Sequence, residues 1–346
     1  MEQKNTKPLG TGVYIRIGLG IVRSVACEFA RLLLRGRPDK SVSFSGTLAR
    51  ESVRRILKLP HMRVGGFFTT GADLSKRNMK WKAPKGYSRR IFDLPNAEIE
   101  LLQPEGPAPD ALIYLLHGGA YTAKLTNNYR SMAVKYSRLA HGAAVALLEY
   151  RVAPEFTYPC ALDDAVDGWN FLLGQGYRPD KILVTGDSAG GNLAVALVAK
   201  LRDGGGPLPC GIIGLSAWLD LASEGESYRY NAEKDPLYPQ RPNAADCKSP
   251  APLDYAGDTD LHDRYLSPVY GSFAGFPPML LQVGGWESIL SDAQTAGKKA
   301  AEAGVDVTVT VYEGMFHVFQ AAGEWTAEGK AAWAEIEQFI HAHLSE

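Results

Sequence analysis

The chain has 346 residues, 45% of them hydrophobic and 22% charged, with a formal net charge of −1. That length buries a sizeable core, as one large α/β domain or two ordinary ones, and the near-neutral balance supplies no whole-molecule field to recruit nucleic acid or an anionic membrane. The four cysteines, Cys27, Cys160, Cys210 and Cys247, lie far apart with no C-x-x-C pair; this spacing argues against a metal or redox site and for reduced thiols in a cytoplasmic protein.

The stretch GTGVYIRIGLGIVRSVACEFARLLLRG (10–36) is apolar, but Arg16, Arg23, Glu28 and Arg31 interrupt it. No uncharged run approaches the ~20 residues of a membrane span, and the runs between arginines are too short for a secretory signal. Val13, Ile17, Ile21, Val25, Phe29 and Leu32 recur at steps of three or four, the period of an amphipathic helix. That face is expected to pack on the protein rather than lie on a membrane, because the basic face holds few charges. A second helix is predicted over SGTLARESVRRILKLP (45–60), with Ser45 as its N-cap and Pro60 at its end.

From about residue 90 the texture changes. The runs DALIYLLH (110–117), AAVALLEYR (143–151), DKILVTG (180–186), CGIIGLSAW (210–218), PMLLQVG (278–284) and VDVTVTVY (305–312) read as strands. Helical stretches lie between them, and TAEGKAAWAEIEQFIHAHL closes the chain. Short apolar strands alternating with helices predict an α/β fold with a mostly parallel sheet covered on both faces. Residues 222–270 break the rhythm, being rich in Pro, Tyr, Asp and Asn. An irregular segment of that length reads as a lid or binding element. The expected organisation is a cap, built from residues 1–90 and the 222–270 insertion, over a catalytic domain spanning 91–346.

One short string carries the chemistry. VTGDSAGGNL (184–193) places Ser188 in a G-x-S-x-G pattern after a strand and before a helix, the context of a strained turn that exposes a nucleophilic serine. Such a serine needs a base, and the base an orienting carboxylate. Of seven histidines, His317 in VYEGMFHVF follows the last strand at a carboxyl end of the sheet; His61, His141, His262, His341 and His343 lack that placement. For the acid, Glu287 stands directly after the preceding strand, whereas Asp292 is expected on the next helix as a surface charge. The order Ser188, Glu287, His317 is that of α/β-hydrolases. Backbone N–H groups of Gly118, Gly119 and Ala189 are the candidate oxyanion donors, the glycines lying in LLHGGAY (115–121) after an earlier strand.

Taken together, HGGA (117–120), EYRVAPEFTYPCALDDA (149–165), GDSAGGNLA (186–194), YLSPVYGSFAGFPPMLLQVG (265–284) and GMFHVF (314–319) resemble the hormone-sensitive lipase-like carboxylesterases of the α/β-hydrolase superfamily, over residues 95–345. The resemblance implies a serine esterase of small or medium acyl esters with no metal or cofactor. Two positions depart from the family pattern: Ala120 replaces the last glycine of H-G-G-G, and Glu287 stands where Asp is usual. Tyr121 and Trp218 are candidate substrate contacts, His117 is expected to orient the oxyanion loop, Asp187 to be structural, and Glu155, Asp163 and Asp164 to hold the YRVAPE loop and the helix after it. The rival readings are an amidase or lactone hydrolase on the same fold and a non-catalytic small-molecule receptor; the presence of His317 argues against the receptor. The last strand is expected to be a sheet edge, where a two-fold dimer would form.

Overall fold

Eight strands form one sheet: β1 (Tyr87–Asp93), β2 (Glu98–Pro104), β3 (Leu112–Leu116), β4 (Ala144–Glu149), β5 (Ile182–Asp187), β6 (Gly211–Leu215), β7 (Met279–Gly284) and β8 (Val307–Tyr312). Their order is β1-β2-β4-β3-β5-β6-β7-β8. The six predicted strands are β3 to β8, all parallel to one another. The unpredicted β1 and β2 extend one edge antiparallel. β1, YSRRIFD, has no fully buried residue; an edge strand facing water needs no apolar run, so it left none to read.

This computed structural model describes residues 11–59, 62, 81–237 and 254–344. Pro60, His61, Cys247 and part of the predicted insertion, 238–253, lie outside the described residues. The helices are α1 (Thr11–Arg35), α2 (Phe44–Ile56), α3 (Asn127–Leu139), α4 (Cys160–Gly174), α5 (Ala189–Asp203), the single turn α6 (Ser227–Tyr230), α7 (Leu290–Glu302) and α8 (Ala327–His343). Strand alternation splits the core in two. Leu112, Tyr114 and Leu116 of β3 pack with residues of α4, α5 and α7, while Ile113 and Leu115 pack with residues of α3 and α8. Cys27, Cys160 and Cys210 are free thiols, and among the described residues no helix is long and apolar enough to cross a membrane.

Two expectations for the N-terminal helices are corrected. The N-cap of α2 is Ser43, whose Oγ accepts from Gly46 N at 2.8 Å. Ser45 sits inside the first turn and accepts instead from Ala327 N, at the start of α8. In α1 the face against α2 is carried by Ser24, Glu28 and Leu32, all buried, whereas Val25 and Phe29 are 37% and 45% exposed. The cause is helical pitch: each step of four advances about 40° beyond a full turn at 100° per residue. A stripe stepping by four from Val13 to Phe29 therefore winds off the packed face.

α2 anchors this region to the sheet's carboxyl end. Arg50 is fully buried; its Nη1 donates to Gly314 O at 3.0 Å, its Nε to Glu51 Oε1, and its guanidinium lies 3.6 Å from the ring centroid of Trp286. Arg54 donates to the carbonyl oxygens of Glu233 and Lys234. Asn231 Nδ2 in turn donates to the carbonyl oxygens of Gly285 and Glu287, and Asp235 Oδ2 accepts from Ser288 N. Arg50→Ala would leave a void beside Trp286 and an unpaired carbonyl. It is expected to cost about 3 kcal/mol of stability, read by denaturant unfolding; Arg50→Lys, which keeps charge but not the planar stack, should recover only part of it.

Candidate active site

Ser188 lies between the last residue of β5 and the first of α5, with φ 53° and ψ −121°, a strained turn for a residue bearing a Cβ. The glycines around it are required by close approach. A Cβ on Gly186 would stand 2.3 Å from Gly190 O, and one on Gly190 would stand 2.1 Å from Leu116 O. The turn is pinned on both sides, Ser188 N donating to Leu215 O and Ser188 O accepting from Trp218 N.

The loops after β7 and β8 bring the other two residues to this turn. His317 Nε2 is 2.9 Å from Ser188 Oγ, and His317 Nδ1 is 2.7 Å from Glu287 Oε2. With the proton on Nδ1 donated to the carboxylate, Nε2 is left to accept from the serine hydroxyl. The other carboxylate oxygen, Oε1, accepts from Ser216 Oγ at 2.7 Å and Gly284 N at 2.5 Å. Ser216 Oγ also accepts from Val318 N at 3.0 Å, tying the acid's loop to the histidine's. Burial disfavours the imidazolium of His317, but the hydrogen bond and charge of Glu287, with Asp235 and Asp187 nearby, outweigh it and raise its pKa.

Of the three predicted backbone donors, Gly118 is excluded. Its N–H donates to Tyr129 Oη at 2.9 Å, with Asp187 Oδ1 at 3.3 Å, and Tyr129 donates its own proton to Asp187 Oδ2 at 3.0 Å. Burial pushes the Asp187 carboxyl up to about 6. Gly119, at φ 118°, and Ala189 have backbone N–H groups without a hydrogen-bond partner among the described residues. The same holds for Ala120, which at φ 54° occupies the left-handed region. The loop is held from behind by His117. Its ring stacks on Tyr150 at 4.1 Å and its Nδ1 donates to Gly118 O, while burial lowers its pKa to about 4 and keeps it neutral.

Three further positions differ from expectation. Tyr121 and Trp218, expected to touch substrate, are 1% and 2% exposed and belong to the core. Tyr121 stacks on Tyr255 and donates to Asn192 Oδ1, so its polar tip is already engaged. Asp292, expected on the surface, is 1% exposed. It lies in the first turn of α7 and points inward, where its Oδ2 accepts from Leu219 N, Asp220 N and Tyr228 Oη. Burial, together with the charge of Asp220, drives its pKa well above the carboxylate range. Asp164 binds the backbone N and guanidinium of Arg151, holding the YRVAPE loop. Among the described residues no cluster of three or more His, Cys, Asp or Glu side chains could hold a metal ion. Ser216 and Tyr129 were not singled out in the sequence; a serine at the carboxyl end of β6 was the available signal for the first, and the second sits on a helix without one.

A mostly parallel sheet whose central strand turns this tightly around a serine, into a helix, is the framework of an α/β hydrolase. The family model described as alpha/beta hydrolase fold matches residues 113–321. The chain is 37% identical over 247 residues to an acetyl-hydrolase of Streptomyces hygroscopicus, covering 71% of this chain and 80% of that one. It is 35% identical over 228 residues to an esterase of Acinetobacter venetianus, covering 66% and 74%. The crystal structure of an esterase from the bacterial hormone-sensitive lipase family superposes with a TM-score of 0.70 at 29% identity, over 94% of this chain and 99% of that one. The chain belongs to the hormone-sensitive lipase-like carboxylesterases of the α/β-hydrolase superfamily.

Proposed function

We propose that the chain hydrolyses small to medium carboxylic esters with Ser188 as nucleophile, His317 as general base and Glu287 as the acid that orients it. The observation that carries this reading is the continuous hydrogen-bonded line from Ser188 Oγ through both nitrogens of His317 to Glu287. His317 Nε2 takes the hydroxyl proton as Ser188 Oγ attacks the ester carbonyl carbon. The carbonyl oxygen becomes an anion, received by the unpartnered N–H groups of Gly119, Ala120 and Ala189. The imidazolium then returns its proton to the leaving alkoxide and the alcohol departs. Water repeats the sequence on the acyl-enzyme, its proton passing through His317 to Ser188 Oγ as the acid is released. The helices α1 and α2 and the described residues of the 222–270 insertion form the cap in this reading, supported by the contacts of Arg50, Arg54 and Asn231 around the β7 and β8 loops.

p-Nitrophenyl acetate, butyrate and octanoate, set against p-nitroanilides of the same acids, test the proposal. Ester turnover is expected to exceed anilide turnover by at least about 10³-fold; comparable rates on the anilides would make the enzyme an amidase instead. The pH profile is a second check. Protonated His317 cannot accept the serine proton, so kcat/KM must fall as pH drops through its raised pKa. The acid limb is therefore expected above the ordinary value of ~6.5, and a limb centred well below that value contradicts the Glu287–His317 pairing.

A further inference from the structure

α1 carries a second, largely exposed apolar face, at whose border Phe29 meets Phe44 of α2 edge-on with ring centroids 5.7 Å apart. Ile15, Leu19, Val22, Phe29 and Leu33 are 58%, 66%, 67%, 45% and 64% exposed. With Ala26 they recur at steps of 4, 3, 4, 3 and 4 along the helix. Val25, Gly18 and Ala30 widen the stripe, so between Ile15 and Leu33 an arc of roughly 140° at 100° per residue holds no charged or polar side chain. Single exposed apolar residues are ordinary, but a continuous stripe of this kind marks an interaction surface.

The charges around the stripe distinguish its occupant. α1 contains four arginines, Arg16, Arg23, Arg31 and Arg35, and one acid, Glu28. Glu28 is buried on the opposite face and paired with Arg31 and Arg55. Arg16 and Arg23 are exposed and lie along one border of the stripe, whereas Arg35 sits about 150° from its centre at 100° per residue, and the helix offers no exposed acid to offset them. A second copy of the chain fits poorly: antiparallel self-pairing would set the Arg16–Arg23 edge against the same edge of the other copy. The arc is also broader than the narrow seam of a two-helix coiled coil. An anionic lipid surface satisfies both features, since apolar side chains enter the acyl boundary while arginines meet the headgroups.

We propose that α1 docks the protein on anionic membranes, lying in the plane of the interface with Ile15, Leu19, Val22 and Leu33 inserted. The packed face remains on α2, whose Arg50 holds the loops after β7 and β8. Docking thus places the end of the sheet that bears Ser188 on the same side of the molecule as α1. This inference rests on exposure and charge, independently of the catalytic assignment.

Flotation of the full chain with phosphatidylcholine–phosphatidylglycerol vesicles, against phosphatidylcholine alone, tests it. The native chain is expected to float with the anionic vesicles. The Arg16→Gln/Arg23→Gln variant should partition about thirtyfold more weakly, at ~1 kcal/mol per arginine. The Leu19→Ser/Val22→Ser/Leu33→Ser variant should lose at least about tenfold on either vesicle. Hydrolysis of a soluble ester by both variants should match the native chain, showing that the fold is intact. Absence of native binding overturns the proposal, as does equal binding to neutral vesicles. A native dimer that the serine variant dissociates, with vesicle binding unchanged, assigns the face to a second copy and also overturns it.

Discussion

Ser188→Ala is expected to lower kcat on p-nitrophenyl butyrate by roughly 10⁵-fold or more, the scale on which removing the nucleophile of a serine triad acts. The substitution deletes one oxygen and keeps the Cβ, so the turn at φ 53° is no more strained than before. Its backbone bonds to Leu215 and Trp218 are untouched, and thermal unfolding should match the native chain within a few degrees. What survives is the turnover supported by substrate binding and the N–H groups of Gly119, Ala120 and Ala189, on the order of 10³-fold over water. His317→Ala should fall nearly as far, and the double variant little further, because a nucleophile without its base already does nothing that the second deletion can remove. Ser188→Ala turnover within tenfold of the native rate would remove Ser188 from the mechanism and the proposed function with it.

The parts of the fold that announced themselves in the sequence are those whose signals are local. Five buried parallel strands, β3 to β7, read as apolar runs because both of their faces are covered, while β8 at the far edge has no fully buried residue. β1 sits at the edge and alternates weakly, so it escaped. Ser188 was legible because the steric demands of its turn fall on neighbouring glycines, where a Cβ on Gly190 would strike Leu116 O. His317 and Glu287 were legible from their position after β8 and β7. The supports of these residues were not, because each is a contact between segments far apart in the chain. Ser216 reaches Glu287 across 71 residues, Arg50 reaches Gly314 across 264, and Tyr129 meets Asp187 across 58.

The aromatic residues illustrate the opposite failure. Tyr121 beside a glycine turn and Trp218 after a strand both have the composition of a ligand pocket. The same residues fill a core equally well once a hydrogen-bond partner is at hand. Tyr121 finds Asn192, which also binds the backbone carbonyl oxygens of Trp218 and Leu266, whereas the indole N–H of Trp218 is buried without a hydrogen-bond partner among the described residues. Gly118 shows how fine the distinction is within the oxyanion loop. Its N–H is one residue from a free donor, yet Tyr129 and Asp187 consume it, and only the three-dimensional partner list separates it from Gly119.

The identity of the acid separates most sharply in a pair of isosteric changes. Glu287→Gln is expected to lower kcat/KM by about 10⁴-fold, the loss seen when a triad carboxylate becomes an amide. The hydrogen bonds give the reason. Oε1 now accepts from Gly284 N and Ser216 Oγ, and Oε2 faces His317 Nδ1. If the amide oxygen turns toward the histidine, its NH₂ confronts the N–H of Gly284, donor against donor. If it turns the other way, the NH₂ faces Nδ1 and selects the tautomer protonated on Nε2, which cannot accept from Ser188. Either orientation also removes the charge that raises the histidine, so the acid limb of the residual activity should move down in pH. Asp292→Asn should cost less than tenfold. Burial already disfavours a charge on that carboxyl, and an amide oxygen can accept from Leu219, Asp220 and Tyr228 as Oδ2 does. Steady-state kinetics on one ester, with thermal unfolding as the fold control, reads both variants. A collapse confined to Asp292→Asn would transfer the orienting role away from Glu287, whereas the predicted contrast ties it to the carboxylate that touches His317.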